Sequence, residues 1–267
     1  MNEFVYLHNL DPVAFKLFGL NVYWYSLSYL FGFIFSVFFS HYLIKNNFIK
    51  LDSGLMDDFL TWAIIGVILG GRLGYVFFYN LNFYFDNLQE IFYIWKGGMS
   101  FHGGLIGLIL STIIFSRLKK VSFLELSNLV ASCAPIGIFL GRLANFVNGE
   151  LIGRPTNSQW GVLYEKSGIL RHPSQLYEAL FEGIIIFIII NFFYKNKYYI
   201  KINIFSVFLI LYSSARFLLE FFREPDQHLG FILGNLTMGQ LLSIPMFLVG
   251  ILLLTYGKTS KNKRSTN

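Results

Sequence analysis

The sequence predicts an all-α integral membrane protein, a polytopic bundle of about seven transmembrane helices. Of its 267 residues, 55% are hydrophobic and only 13% are charged, whereas a soluble domain carries about 25% charged residues. Apolar runs of about 20 residues, long enough to cross a bilayer, recur along the chain. No internal repeat and no separate soluble segment interrupts them, so we expect a single polytopic membrane domain over residues 1–267.

Seven apolar runs bounded by charged residues mark the expected helices. They lie at 21–44, 58–80, 98–116, 122–142, 177–194, 203–222 and 239–257. The first twenty residues have no basic start and no small-residue cleavage site, so we expect the first span to stay in the mature chain. In the second run, Gly66, Gly70 and Gly74 recur every four residues, which predicts a close helix-packing seam.

The distribution of lysine and arginine predicts the orientation. Twelve of these residues fall on one set of loops and the basic tail 258–267, six fall on the opposite set, and three lie within spans. Because basic residues accumulate on the cytoplasmic side, we expect the tail in the cytoplasm and the N-terminus outside. The loops 81–97, 143–176 and 223–238 then face outwards. This distribution accounts for the net charge of +6, so no nucleic-acid partner is expected.

The sequence offers no metal site and no common nucleotide or nucleophile motif. Its single cysteine, Cys133, excludes an internal disulfide and a cysteine-cluster metal site, and we expect it to be a small buried side chain. There is no phosphate-cradling glycine-rich loop and no strand-turn-helix nucleophile elbow.

Polar residues gather at the outer end of the fourth span. The run LGRLANFVNGELIGRPT carries Arg142, Asn145, Asn148, Glu150 and Arg154. Such groups are costly in lipid and usually mark a site. Arg142 and Asn145 share one helical face, and an arginine can grip a phosphate through two parallel hydrogen bonds. Glu150 follows an expected turn at Asn148-Gly149 and is placed to orient an arginine. The alternative is a salt bridge that joins helices.

The sixth and fifth spans add further polar groups near the same side. Arg216 and Glu220 lie four residues apart on one face of the sixth span, and Arg223 follows a turn later. They suggest a cavity shared with the first cluster, although an Arg216–Glu220 pair would also explain that span. Just before and inside the fifth span, Ser174, Gln175 and Glu178 are typical of a helix start, although Gln175 and Glu178 are also candidates for the polar cluster. We favour helix capping for this trio.

Three more residues leave alternatives open. Arg72 lies inside the second span and needs either a buried carboxylate or a lipid phosphate. Tyr25 belongs either to the aromatic belt of the membrane interface or to a cavity. His102 lies inside the third expected span beside Gly103 and Gly104, and as the side chain best suited to proton transfer near neutral pH it is a candidate general base.

These residues together favour an anionic amphiphile as the ligand. An arginine-lined pocket in a bilayer suits a phospholipid head group, and a histidine adds the possibility of proton abstraction. The residues therefore indicate a phospholipid-handling membrane enzyme or, alternatively, a secondary transporter or channel for an anionic solute. A transporter would place polar groups at mid-membrane depth within repeated halves, whereas this sequence gathers them towards one face.

Six segments carry a resemblance to a known family. The runs GRLGYVFFYN, WKGGMSFHGGLIG, GRLANFVNGELIGRPT, RHPSQLYE, ARFLLEFFREPD and MGQLLSIPM resemble prolipoprotein diacylglyceryl transferases, in the same order and over nearly the whole chain. Ala144 stands where that family usually has glycine, and the loop 157–171 is short for the family.

The resemblance implies a reaction, its partners and its location. The diacylglyceryl group of phosphatidylglycerol moves to the lipobox cysteine thiol of a prolipoprotein, forming a thioether and releasing glycerol-1-phosphate, as the first step of bacterial lipoprotein maturation. The partners are phosphatidylglycerol, the lipobox segment and membrane lipids, no cofactor is needed, and the location is the bacterial cytoplasmic (inner) membrane.

The resemblance also implies roles for individual residues. Arg142 would bind the lipid phosphate, Arg216 would neutralise the departing phosphate, and His102 would be the base for the thiol. The implied catalytic set is Tyr25, His102, Arg142, Asn145, Glu150, Arg216 and Glu220, and the implied phospholipid ligands are Arg72, Arg142, Arg216 and Arg223.

Overall fold

The chain is mostly helical. The computed structural model describes residues 5–165, 167–225, 230–232 and 234–264, with the side chains of the last segment described to residue 255. The α-helices are α1 Trp24–Lys45, α2 Ser53–Tyr79, α3 Leu81–Asp86, α4 Phe101–Lys119, α5 Phe123–Asn148, α6 Ser174–Glu178, α7 Ile186–Lys195, α8 Ile204–Leu219 and α9 Met238–Arg264. A π-helical segment, Ala179–Ile185, joins α6 to α7, and 3-10 turns occupy Leu88–Phe92, Ile94–Lys96 and Tyr198–Ile200.

Six helical segments are long and apolar enough to cross a membrane. Within the described residues they are Trp24–Lys45, Ser53–Tyr79, Phe101–Lys119, Phe123–Asn148, Ser174–Lys195 and Met238–Thr255. The remaining expected span, 203–222, contains α8, which is apolar but has 16 residues. At 1.5 Å per residue it measures about 24 Å, less than the hydrocarbon core of about 30 Å. The chain therefore has the character of a multi-pass membrane protein.

α5 and α9 extend six or more residues beyond their expected spans. The fourth expected span ends at residue 142, but α5 continues to Asn148, which places Asn145 and Asn148 on the helix. α9 continues to Arg264, so the first residues of the basic tail, 258–264, have a helical backbone. The side chains of residues 256–264 and all of residues 265–267 lie outside the described part of the chain.

The expectation of an all-helical chain missed five short strands. They are β1 Tyr6–His8, β2 Val13–Leu17, β3 Leu20–Tyr23, β4 Val162–Tyr164 and β5 Leu170–Arg171. β2 and β3 form an antiparallel hairpin, and β4 lies between β1, its parallel partner, and β5, its antiparallel partner. Strands of two to five residues are too short for a period-of-two pattern to stand out in the sequence.

The contacts divide the described chain into two compact units. The first is built from residues within 1–36 and 130–267, and the second from residues 37–129. In the first unit, α7 and α8 bury Ile186, Ile190 and Ile204. Cys133 is buried there too, as expected.

In the second unit, glycines bring α2 and α4 into close contact. A Cβ atom on Gly74 would lie 2.7 Å from the Cα atom of Gly103, and one on Gly66 would lie 2.7 Å from the carbonyl oxygen of Gly107. Side chains at these positions would force the two backbones apart. The glycine seam predicted for the second span is therefore confirmed.

Candidate active site

In the first unit, three arginines and three glutamates come together from α5, from α6 and the π-helical segment that continues it, and from α8 and the turn after it. The members are Arg142 from α5, Glu178 from α6, Glu182 from the π-helical segment, Arg216 from α8, and Glu220 and Arg223 from the turn after it. We call these six residues the arginine–glutamate cluster. The side chains of Glu178 and Glu182 are 0% exposed, while that of Arg142 is 15% exposed. The formal charges balance, as burial requires.

Arg142 bridges two glutamates that lie one helical turn apart. Its Nη1 is 3.1 Å from Oε2 of Glu178, and its Nη2 is 3.1 Å from Oε2 of Glu182. Nε donates a further hydrogen bond of 3.3 Å to the same Glu182 oxygen. This fork fixes the plane of the guanidinium group, which a flexible lysine would not achieve.

Arg216 makes the second bridge. Its Nη1 donates to Oε1 of Glu178 at 2.5 Å, and its Nη2 lies 2.7 Å from Oε2 of Glu220. Thr237 donates its hydroxyl to the other Glu220 oxygen at 3.0 Å. Arg223 lies 3.6 Å from Oε1 of Glu178, so three arginines share the Glu178 carboxylate. The expected Arg216–Glu220 pair is present, but as one part of a larger network.

The capping interpretation of Ser174, Gln175 and Glu178 is wrong. The residue before α6 is Pro173, and no side chain caps the helix. Ser174 donates its hydroxyl to the carbonyl oxygen of Leu151 at 3.0 Å instead, and Glu178 enters the arginine–glutamate cluster. In the sequence alone, an ordinary helix start and a buried ionic site look the same at these positions.

A polar cavity of about 420 Å³ is lined by Tyr25, Asn145, Asn148, Glu150 and Leu151. Asn145 and Asn148 each donate a side-chain hydrogen bond to Oε1 of Glu150, at 3.1 and 3.0 Å. Among the described residues, Glu150 therefore orients neither arginine and is itself held by two amides. Tyr25 lines the cavity, which supports the cavity interpretation over the interfacial belt.

A tight turn after α5 presents Glu150. Gly149 and Leu151 have φ angles of +63° and +56°, and the Glu150 amide donates to the carbonyl oxygen of Asn145 at 3.1 Å. The predicted turn at Asn148-Gly149 is confirmed. A left-handed conformation is natural for glycine but costs free energy at Leu151, so contacts elsewhere must hold this turn.

Two further arginines of this region, Arg154 and Arg171, bind main-chain and carboxylate oxygens around the cluster. Nε of Arg154 donates to the carbonyl oxygen of Arg223 at 2.9 Å. Arg171 pairs with Glu224 at 2.9 Å. Next to it, burial lowers the pKa of His172 below its usual 6.5, which favours the neutral ring at pH 7. Arg154 and Arg171 thus fasten the loop to the segment after α8.

Arg72, in the second unit, has main-chain partners. Its Nε donates to the carbonyl oxygen of Ile91 at 2.9 Å, its Nη1 to Gly97 at 2.6 Å, and its Nη2 to Glu90 at 2.5 Å. The residue is 4% exposed, and its guanidinium also lies 5.2 Å from the centre of the Tyr84 ring. The sequence predicted either a buried carboxylate or a lipid phosphate as the partner of Arg72, but its guanidinium binds main-chain carbonyl oxygens instead. This geometry does not support Arg72 as a phospholipid ligand. It indicates an anchor for the segment between α3 and α4.

His102 is the second residue of α4 in the second unit. It is exposed, and its ring meets that of Phe101 edge-on at 5.7 Å between centroids. An exposed imidazole is available to a substrate. Its role as a base remains a prediction.

The residue most clearly missed in the sequence is Glu182. It lies inside the apolar run of the fifth span, four residues after Glu178. A carboxylate within a span is itself a signal of a site. Among the described residues, no group of three or more histidine, cysteine, aspartate or glutamate side chains is arranged to hold a metal ion.

Fold and site together define a multi-pass membrane protein that buries a charge-balanced ionic cluster near a polar cavity. The chain belongs to the prolipoprotein diacylglyceryl transferase family, whose model matches residues 12–256. Three similar proteins carry the name phosphatidylglycerol–prolipoprotein diacylglyceryl transferase. That of Rickettsia felis is 47% identical over 92% of this chain and 96% of its own, and that of Ehrlichia ruminantium is 46% identical over 95% and 99%. That of Wolbachia pipientis from Culex pipiens is 47% identical over 92% and 94%.

Proposed function

We propose that this protein transfers the diacylglyceryl group of phosphatidylglycerol to the lipobox cysteine thiol of a prolipoprotein. The observation that carries the proposal is the closeness of the arginine–glutamate cluster to the polar cavity. Arg142 of the cluster and Asn145 of the cavity lie about one turn apart on α5. A lipid whose phosphate binds Arg142 would therefore have its glyceryl carbon beside the cavity.

Arg142, Arg216 and Arg223 are the proposed ligands of the phosphate. A guanidinium group has five N–H donors, and the glutamates take only some of those of Arg142 and Arg216. The glutamates hold the arginines in place before the lipid arrives, so little reorganisation is needed when charge develops on the leaving group. Glu220 acts through Arg216 in this proposal.

The transfer step needs a thiolate and a phosphate leaving group. The thiol loses its proton, for which His102 is the proposed base. The sulfur then forms a bond to the glyceryl carbon while the bond from that carbon to the phosphate oxygen breaks. The electron pair leaves with glycerol-1-phosphate. Tyr25, Asn145 and Glu150 are proposed to orient the reacting groups at the cavity.

The proposed setting is the bacterial cytoplasmic membrane, with seven spans, the N-terminus outside and the C-terminal end in the cytoplasm. Pairing of β1 with β4 supports placing the N-terminal segment on the same side as the loop after α5. The apolar character of α8 supports a seventh span, completed by the residues that flank it.

The test uses the full-length purified protein in phosphatidylglycerol-containing vesicles with a membrane-embedded lipobox peptide. The expected product is a peptide heavier by one diacylglyceryl group, and the matched peptide with serine in place of cysteine should stay unchanged. No mass increase, together with uptake of an anionic solute into the vesicles, would instead support the transporter alternative.

A further inference from the structure

We propose that Gln175 and Tyr164 are positioning residues for the reaction, because they hold Glu150 and its two asparagines at the polar cavity. The proposal rests on the proposed function and extends it to two residues that touch neither the cavity nor the arginine–glutamate cluster.

Gln175 links two parts of the first unit through one side chain. It is 0% exposed. Its Nε2 donates to the main-chain carbonyl oxygen of Glu150 at 2.7 Å, and its Oε1 accepts a hydrogen bond of 3.1 Å from the hydroxyl of Tyr164. A buried amide bonded at both ends has one favoured orientation, because rotating it would leave both groups unpaired.

Tyr164 supplies the fixed end of this chain of hydrogen bonds. It is the last residue of β4, is 3% exposed, and pairs in register with His8 of β1. Burial raises the pKa of Tyr164 to about 12, so its hydroxyl stays protonated and remains a donor at neutral pH. His8 in turn makes a 2.6 Å hydrogen bond to the carbonyl oxygen of Phe146 on α5. The small sheet is thus tied to the end of α5.

The turn at Glu150 needs such support. Leu151 adopts a left-handed conformation that costs free energy, and Glu150 itself is exposed. Both asparagine amides donate to Oε1 of Glu150, which leaves Oε2 without a hydrogen-bond partner among the described residues. That oxygen is available to a ligand in the cavity only while the turn keeps its position. Gln175 also lies about one turn from Glu178 on α6. Its hydrogen bond to Glu150 therefore ties the turn at the cavity to the helix that carries Glu178.

The test compares the rate of diacylglyceryl transfer in three variants. Tyr164→Phe keeps the ring and removes the donor, and we expect kcat to fall about tenfold with little change in KM for phosphatidylglycerol. Gln175→Leu removes both bonds, and we expect a fall of about a hundredfold. Tyr194→Phe is the matched control, since it removes a buried hydroxyl that bonds Ser132 at 2.8 Å near the far end of the same helical segment. It should lower the unfolding temperature without lowering kcat.

A double-mutant cycle separates positioning from a general loss of stability. If Tyr164 acts through Glu150, then Tyr164→Phe should lower kcat much less in a Glu150→Gln background than in the wild type. An equal fall in both backgrounds, or an unchanged kcat in Tyr164→Phe, would overturn the proposal. Failure of the proposed function would look different, because the wild-type protein would then form no lipidated peptide at all.

Discussion

Replacing Arg142 by alanine separates the structural role of the arginine–glutamate cluster from its proposed catalytic role. Arg142 contacts Glu178 and Glu182 at 3.1 Å each, and both glutamates are 0% exposed. Without it, three carboxylates would face two arginines. Removing one partner of a buried ion pair costs about 3–5 kcal/mol. Loss of activity in this variant alone could therefore reflect unfolding.

A second substitution, Glu182→Gln, restores the charge balance. Its other ion-pair distance, 3.5 Å to Nη1 of Arg216, is long, so little further attraction is lost. We expect Arg142→Ala/Glu182→Gln to recover most of the stability that Arg142→Ala loses. Activity should not return. Two charge-assisted hydrogen bonds to the phosphate, at about 1.5–3 kcal/mol each, correspond to a loss of about 10²- to 10⁴-fold in kcat/KM.

The assay measures kcat/KM with phosphatidylglycerol and a cysteine peptide, alongside thermal unfolding in the same detergent. Glu182→Gln alone is the control, because it keeps the Arg142 guanidinium and should retain measurable transfer. If the double variant folds and transfers as fast as Glu182→Gln, Arg142 does not bind the phosphate and the reasoning is refuted.

Three further predictions concern the second unit and the loop after α5. Arg72→Lys should lower the unfolding temperature, because one ammonium cannot replace a guanidinium that donates to several carbonyl oxygens, whereas the exposed Arg117→Lys should leave it unchanged. Gly98→Ala should destabilise more than Gly97→Ala: both have positive φ angles, but only at Gly98 would a Cβ meet a tyrosine ring, at 2.6 Å. Equal losses would exclude that contact. Burial lowers the pKa of His172 in the folded chain, so as the pH drops below 6.5 the unfolded chain takes up a proton at this residue before the folded chain does. The free energy of unfolding should therefore fall as the pH drops from 6.5 to the lowered pKa. His172→Gln should reduce this fall, and an unchanged pH profile would contradict it.

The sequence located the helices well because long apolar runs are a strong local signal. It also singled out Arg142, Arg216 and Glu220, which the structure brings together in the arginine–glutamate cluster, since charges are rare in such runs. It could not supply the partners of Arg72, because those are main-chain carbonyl oxygens in an irregular segment that depends on two glycines with positive φ angles. The hydrogen bonds of Gln175 could not be predicted either, because they join it to the turn at Glu150 and to Tyr164. Tyr164 lies in a strand of three residues, which is too short to show a periodic pattern.

The most direct test of the central claim is the stoichiometry of head-group release. Phosphatidylglycerol labelled in its glycerol head group is incubated with the wild-type protein and the cysteine peptide, and both products are counted. A diacylglyceryl transferase predicts one glycerol phosphate released for each peptide lipidated, and no release with the serine peptide. Release without lipidation of a thiol, or no release while the peptide is present in the bilayer, would contradict the account.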